Sequence, residues 1–349
     1  MGVSRRNKVV CILETGQIVR LFKVALAAPL LFALAGCKMV VMDPAGDIAM
    51  QQRNLILLAT GLMLLIIVPV IAATLFFAWK YRASNTEAAY DPDWHHSTKL
   101  ELLIWSIPMA VIVVLGSVAW ISSHTLDPYR PLSRIGPNRP VPAGMKPLEV
   151  DVVALDWKWL FIYPQLGVAS VNELAAPVDR PISFRITASS VMNSFYIPAL
   201  AGQIYAMPRM QTQLHAVINK PGVYDGLSAN FSGSGFSDMR FKFKGMSQAD
   251  FDSWVAGLRA SPAHLTRADY AQLAKPSGDE PVRHYATVDP DLFTRIIGGC
   301  AAPGQACAND MPGMPDMTRA SVDKTKICTP QRVALNTRRP AAAKAVRAE

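Results

Sequence analysis

Two long apolar runs, LILLATGLMLLIIVPVIAATLFFAW at 55–79 and LLIWSIPMAVIVVLGSVAWI at 102–121, decide most of what this chain can fold into. As helices rising ~1.5 Å per residue, both are long enough to cross a ~30 Å hydrocarbon layer. Neither run has a polar face, which argues against a buried helical hairpin in a soluble protein. Pro69 and Pro108 interrupt the runs, and a membrane helix packed against other helices tolerates that. The composition agrees, with 51% hydrophobic and 17% charged residues. The net charge of +9 is spread along 349 residues and concentrates only at the extreme C-terminus, in Arg332, Arg338, Arg339, Lys344 and Arg347. No recognition helix or aromatic-basic pattern accompanies it, so nucleic acid is not an expected partner.

The N-terminus reads as a targeting segment. Arg5, Arg6, Lys8, Arg20 and Lys23 precede VALAAPLLFALAGC at 24–37, an apolar stretch of secretory type that ends in LAGC. That ending resembles a lipobox, in which the chain is cut before the cysteine and lipid is attached to its thiol. The expectation is therefore a signal peptide over 1–36 and a lipidated Cys37. The alternative is an uncleaved first helix that ends in an ordinary cysteine. The charged leader is long for a signal, and a later translation start near Val19 would shorten it. Lipidation places Cys37 outside the cytoplasm. The first helix then runs inward, the second returns, and everything after about residue 124 is periplasmic. Lys80, Arg82 and Lys99 flank the cytoplasmic turn, in line with the positive-inside tendency, although Arg130, Arg134 and Arg139 follow on the other side. Cys300, Cys307 and Cys328 lie near the C-terminus with no zinc-like spacing, and an odd number leaves at least one unpaired within the chain.

After the lipidated hairpin (37–124), residues 125–147 are Pro-rich and read as a linker. From Leu148 the pattern changes to short β-like runs: LEVDVVALDWKWLFIYP, PISFRITASS, QTQLHAVI, GVYDGLSANF and MRFKFKG. Alternation is clear in ISFRIT and RFKFK. This spacing predicts an antiparallel β-sandwich over 148–245. SQADFDSWVAGLR and TRADYAQLAK then predict helices with Ser247 and Thr266 as N-caps, in a helical extension over 246–299. The Ala, Pro, Gly and Met content of 300–349 predicts a disordered tail.

Two membrane helices followed by such a sandwich resemble subunit II of the haem–copper oxidases, over roughly residues 37 to 297. In the cytochrome c oxidase branch the sandwich is a cupredoxin with a binuclear copper centre. Its ligand loop reads C-x-E-x-C-x-x-x-H-x-x-M, with a further His earlier in V-x-H-S-F. Bridging thiolates suit a mixed-valence copper pair. Here SANFSGSGFSDM keeps the spacing and loses the chemistry. Ser228 and Ser232 stand at the two Cys positions, Asn230 at Glu, Phe236 at His and Met239 at Met, while VMNSF puts Asn193 at the earlier His. Five of these six positions are replaced, and a single thioether gives negligible copper affinity. The resemblance therefore implies a subunit with no haem and no copper of its own. It points to the quinol oxidase branch, where electrons come from a membrane quinol. DPAGDI (43–48), QQRNLIL (51–57), FAWKYRASN (77–85), DWKWLFIYP (156–164), VMNSFYIP (191–198) and QIYAMPRMQTQL (203–214) resemble that branch. HYATVDPDLFTRII (284–297) resembles its aromatic-rich extension.

The resemblance implies a non-redox subunit of a proton-pumping ubiquinol oxidase in the bacterial inner membrane. It would clamp subunit I, meet smaller membrane subunits and the lipid bilayer, and reach quinol only through the complex. Haems and copper would sit in subunit I. The rival reading is a free-standing, membrane-anchored cupredoxin-like binding lipoprotein. Glu101 carries two readings. With Thr98 as N-cap it falls at the third helical position of a capping box. By resemblance it matches a glutamate at the entrance of a proton channel of subunit I. Trp157 and Trp159 match the segment where cytochrome c oxidases receive electrons, but without copper behind them they read as aromatic anchors of the sandwich. His95 and His96, with Asp91 and Asp93, read as a solvated loop rather than a metal site, and His124, His215, His264 and His284 are scattered. GSG at 233–235 joins no strand to a helix, so a nucleotide site fails. Mass spectrometry of the mature chain is expected to find Cys37 lipidated at the N-terminus. Cys37→Ser is expected to stay membrane-inserted, because two spanning helices hold far more strongly than acyl chains. An intact peptide from Leu34 to Lys38 as the dominant form refutes the lipobox.

Overall fold

The computed structural model describes residues 39–305 apart from Tyr90, together with Cys307. The signal segment 1–36, Cys37, and residues 308–349 with Cys328 lie outside the described residues.

The two apolar runs form helices α1 (Asp47–Lys80) and α2 (Thr98–Thr125), continuous through Pro69 and Pro108. Both are long and apolar enough to cross a membrane, and nearly all their large side chains are exposed. α1 begins against the sandwich and α2 ends there. The N–H groups of Ala45 and Gly46 donate to Ala199 O, both at 2.9 Å, and Asn219 N–H donates to Ala45 O at 2.8 Å. Beyond α2, Pro128 O accepts from His215 N–H at 3.1 Å. The turn 81–97 is therefore at the far end of the hairpin from the sandwich. Asp47 is buried at the first turn of α1, where Arg134 Nε at 2.9 Å and Gln51 Nε2 at 2.7 Å satisfy its carboxylate.

The segment expected as a linker contains a small hairpin, β1 (Arg134–Gly136) with β2 (Arg139–Pro140). It carries Arg134 to Asp47, and Arg139 pairs with Asp179 at 2.9 Å. The sandwich proper follows: β3 (Leu148–Leu155), β4 (Lys158–Tyr163), β5 (Val168–Val171), β6 (Glu173–Pro177), β7 (Pro181–Ala188), β8 (Asn193–Tyr196), β9 (Ile204–Ala206), β10 (Thr212–Val217), β11 (Gly222–Ser228) and β12 (Arg240–Met246). The extension adds α3 (Gln248–Arg259), β13 (His264–Leu265), α4 (Arg267–Leu273), β14 (Arg283–Tyr285), β15 (Thr287–Val288) and α5 (Leu292–Gly298).

One sheet has the order β10-β7-β3-β4-β5-β14 and the other β6-β12-β11-β8-β9. The expected all-antiparallel arrangement is corrected in two places: β3 pairs parallel with β7, and β6 parallel with β12. The reason is topological. The chain changes layer at β6 and returns to the first layer running in the direction of β3. Between the layers lies an aromatic core in which Trp159, Phe161, Phe184, Phe195 and Phe241 are all at or below 3% exposure. Phe195 and Phe241 stack at 5.5 Å, and Trp159 meets each of them edge-on at 5.4 and 5.7 Å. Such contacts add to the burial itself.

The extension also departs from a purely helical segment. β14 pairs with β5 as an edge strand, and β13 pairs parallel with β15. Ser247 and Thr266 cap α3 and α4 as expected, Thr266 in a reciprocal capping box with Asp269. The extension covers the outer face of the first sheet. Leu155, Leu160 and Ile162 pack there against Tyr270, Leu273, Leu292, Phe293 and Ile296. β3 and β4 are thus buried on both faces and read as near-continuous apolar runs rather than strict alternation. A second correction concerns the tail. Cys300 is fully buried and is disulfide-bonded to Cys307, and the Arg267 guanidinium donates to the carbonyls of Cys300, Ala301 and Ala302 at 2.8–3.2 Å. Order therefore continues past Gly299, held by a cation and a cross-link that composition alone did not reveal.

Gly46 sits where helix and sandwich touch. A Cβ there would lie 2.6 Å from both Leu200 O and Val217 O. Gly46→Ala is expected to force these backbones apart at a cost of about 1–3 kcal/mol, read as a lowered thermal midpoint of the detergent-purified chain. Gly61→Ala, in α1 with nothing within 4 Å, is expected to leave the midpoint unchanged or raised.

Candidate functional site

The six positions singled out by spacing do converge at one end of the sandwich. β8 brings Asn193 and β11 brings Ser228, in a register that sets Ser228 opposite Phe195. Ser228 Oγ lies 3.2 Å from Asn193 Oδ1, which it reaches as donor. The loop then closes on itself. Ser228 N–H donates to Met239 O at 3.1 Å, Ala229 N–H to Ser194 O at 3.0 Å, and Ser232 Oγ approaches Met239 Sδ at 4.0 Å. Asn230 donates from Nδ2 to Met192 O at 3.2 Å. Phe236 opens a short 3-10 turn and meets Phe231 edge-on at 5.7 Å.

As a copper site this donor set does not fit. Two hydroxyls and two amides replace soft thiolates and imidazole, Phe236 offers no donor, and Met239 is 1% exposed within the aromatic core. Trp157, held at a positive φ of 66°, packs against the loop. Its indole N–H donates to Ser232 O at 3.1 Å. A Cβ at Gly235 would come within 2.4 Å of the indole ring, and Gly233 sits at φ +113° against the same ring. The two glycines of GSG are there to let this ring in. Trp159, two residues on, points the other way into the core with no exposure. DWKW therefore acts here as two anchors, one under the loop and one between the sheets.

The second candidate stands at the opposite end of the hairpin. Glu101 is in the first turn of α2, about half exposed, with Oε1 2.7 Å from His96 Nδ1. The expected capping box is corrected. Ser97, not Thr98, is the N-cap, no side chain caps it, and the Glu101 carboxylate turns to His96 rather than to the N-cap N–H. The remaining His96 nitrogen lies 3.1 Å from Thr98 Oγ1. In the sequence His96 reads as a solvated loop residue. The usable signal was a histidine five positions before a first-turn glutamate, close enough to fold back over the helix start. His95 turns instead to the Asp93 carbonyl at 2.6 Å. No group of three or more His, Cys, Asp or Glu side chains placed to hold a metal occurs among the described residues.

A polar cluster joins sandwich to extension. Glu173, almost buried, is reached by Lys244 Nζ at 2.6 Å, Trp254 Nε1 at 2.7 Å and His284 Nε2 at 3.3 Å. Burial pushes its carboxyl upward, but the bonds from Lys244 and Trp254 outweigh that and hold it below the ordinary glutamate range.

A cupredoxin-like sandwich joined to a hairpin of two long apolar helices defines the class as subunit II of the haem–copper oxidases. Residues 150–246 match the family described as cytochrome c oxidase subunit II, periplasmic domain, and residues 259–304 match the COX aromatic rich motif. The cytochrome bo(3) ubiquinol oxidase subunit 2 of Pseudomonas putida is 52% identical over 264 residues, covering 76% of this chain and 81% of that one. Its counterpart in Pseudomonas aeruginosa is 50% identical, covering 76% and 77%. The ubiquinol oxidase subunit 2 of Acetobacter aceti is 48% identical, covering 76% and 83%. The chain belongs to the ubiquinol oxidase subunit 2 family.

The six positions lie together at one end of the sandwich, which gives a direct test. The purified wild-type protein is expected to take up no copper at this loop. Restoring the set through Asn193→His, Ser228→Cys, Asn230→Glu, Ser232→Cys and Phe236→His is expected to yield a purple, mixed-valence copper centre, visible by absorption and paramagnetic resonance. A copper-pair signal in the wild type contradicts the first expectation. A colourless restored variant shows that the loop differs from a copper site in geometry as well as in ligands.

Proposed function

We propose that this chain is the non-redox subunit of a proton-pumping ubiquinol oxidase, which oxidises quinol and reduces oxygen to water. It acts as a structural clamp on the large subunit and as part of a proton entrance. The observation that carries the reading is the pair of ends. At one end, a copper loop retains its fold with no donor set. At the other, a half-exposed carboxylate stands at the start of a membrane helix. Electrons have no relay through Asn193, Ser228, Asn230, Ser232, Phe236 and Met239, so haems and copper belong to subunit I. The apolar, exposed flanks of α1 and α2 suit a bilayer and neighbouring membrane subunits. With Cys37 lipidated on the periplasmic side, the sandwich is periplasmic and the turn 81–97 cytoplasmic, so Glu101 faces the compartment from which protons are taken.

A proton entrance needs a group that exchanges protons with bulk water and hands them inward. Glu101 is accessible, and its carboxylate is engaged by His96 rather than by the helix terminus. Removing it therefore costs the helix no cap. Glu101→Ala is expected to assemble with normal haem content and to slow quinol oxidase turnover several-fold. Glu101→Asp is expected to keep most activity, since the carboxylate survives on a shorter arm. Glu101→Gln keeps size and hydrogen bonding but cannot carry a proton, and it is expected to be as slow as alanine. Wild-type turnover in Glu101→Gln contradicts the proton role.

A further inference from the structure

Where the hairpin meets the sandwich there is a cleft of about 230 Å³, walled by the first turns of α1, residues 125–134 and the sandwich edge at Gly202–Gln203 and Leu214–His215. That is well above the ~30 Å³ that a water molecule occupies in the liquid. Three donor side chains line it and make no hydrogen bond or ion pair among the described residues: Gln52, Arg130 and Gln203. Arg130 is exposed and stands just past the end of α2. The cleft also has acidic groups. Asp47 is already paired with Arg134, and Asp127, which also lines the cleft, accepts the Tyr129 N–H at 2.9 Å. The lining thus offers an unpaired guanidinium and two amides beside one carboxylate, a set that suits a phosphodiester carrying an ammonium group.

Depth along the helices says where such a group would come from. The apolar run of α1 starts at Leu55, and Gln51 and Gln52 lie three to four residues outside it, about 5–6 Å at helical rise. The apolar run of α2 ends at Ile121, and Thr125 lies about 6 Å beyond. A headgroup layer is roughly 5–8 Å thick on each side of the hydrocarbon. The cleft therefore sits at headgroup depth on the sandwich side, with the exposed apolar flanks of both helices directly beneath it. Trp120, 70% exposed one turn below Thr125, is the kind of amphipathic residue found at this boundary.

We propose that this cleft binds the headgroup of a phospholipid of the sandwich-side leaflet, with the phosphate on Arg130, Gln52 and Gln203, an ethanolamine-type ammonium toward Asp127, and the acyl chains along α1 and α2. The inference rests on the hairpin spanning a bilayer and not on the proton role of Glu101. Arg130→Ala and Glu101→Gln therefore report on different readings. The test uses the whole oxidase, purified in detergent, stripped of loose lipid and titrated with phosphatidylethanolamine under native mass spectrometry. Wild type is expected to retain one lipid more tightly than Arg130→Ala. Loss of a charge-assisted contact is expected to weaken that lipid about tenfold, with haem content unchanged. Gln203→Ala is expected to weaken it less and Arg130→Lys to restore part of it. Glycerophosphoethanolamine, which lacks acyl chains, and inorganic phosphate are expected to compete poorly. Equal lipid retention in wild type and Arg130→Ala overturns the proposal, as it would if a loop of another subunit fills the cleft. Full competition by inorganic phosphate overturns the lipid assignment in favour of a free-anion site.

Discussion

The rest of the structure depends on how the chain passes from sandwich to membrane. At Ala45–Gly46 the backbone donates to Ala199 and accepts from Asn219, so the entry to α1 is stitched to two loops of the sandwich before the helix begins. Only glycine fits at 46, because two carbonyl oxygens occupy the space of a side chain. One residue later Asp47 is buried against Arg134, which arrives from a small hairpin beyond α2. A buried carboxylate without that guanidinium would be costly. The contact therefore ties the start of α1 to the segment after α2, and a membrane hairpin and a β-sandwich become one body. Everything placed relative to the bilayer follows from this junction, including the loop at one end and Glu101 at the other.

The sandwich explains how this loop holds its shape without metal-binding side chains. The bracing comes from backbone pairing of Ser228 with Met239 and Ala229 with Ser194, and from the Trp157 ring wedged beneath Gly233 and Gly235. Met239 belongs to the aromatic core, where burial holds it. None of these contacts needs a thiolate or an imidazole. The outer face of the first sheet is closed separately by the extension, through Phe293, Tyr270 and the buried Cys300. The two cores share β3 and β4, which is why those strands are buried on both faces.

The two ends of the hairpin differ physically. Glu101 is half exposed with a histidine as partner. The flanks of α1 and α2 are apolar and exposed, and Asp47 at the sandwich end is buried and paired. The loop and Glu101 stand at opposite ends of helices α1 and α2, so a change at one need not disturb the other.

Much was legible in the sequence because it depends on local rules. Hydrophobic length set the two helices. Short β-like runs located six of the strands, with clear alternation in two of the runs. Capping chemistry found Ser247 and Thr266, and ligand spacing identified the loop with its substitutions. The short strands β5, β6, β8 and β9 were not located as strands, since they carry too few residues for a period. The two parallel pairings were missed because layer changes leave no trace in residue type. The order at Cys300 was hidden because its causes, Arg267 and Cys307, are distant in chain or bland in composition. The capping-box reading of Glu101 failed because the helix began one residue earlier, which released the carboxylate to His96. Residue type and spacing are enough to say which segments are long and apolar enough to span a membrane, which form a sandwich and which donors the loop lacks. Which side chains meet is settled by packing: Asp47 with Arg134, Glu101 with His96 and Trp157 with the loop. Contacts between residues far apart in the chain, or across a turn, are fixed by packing and not by pattern.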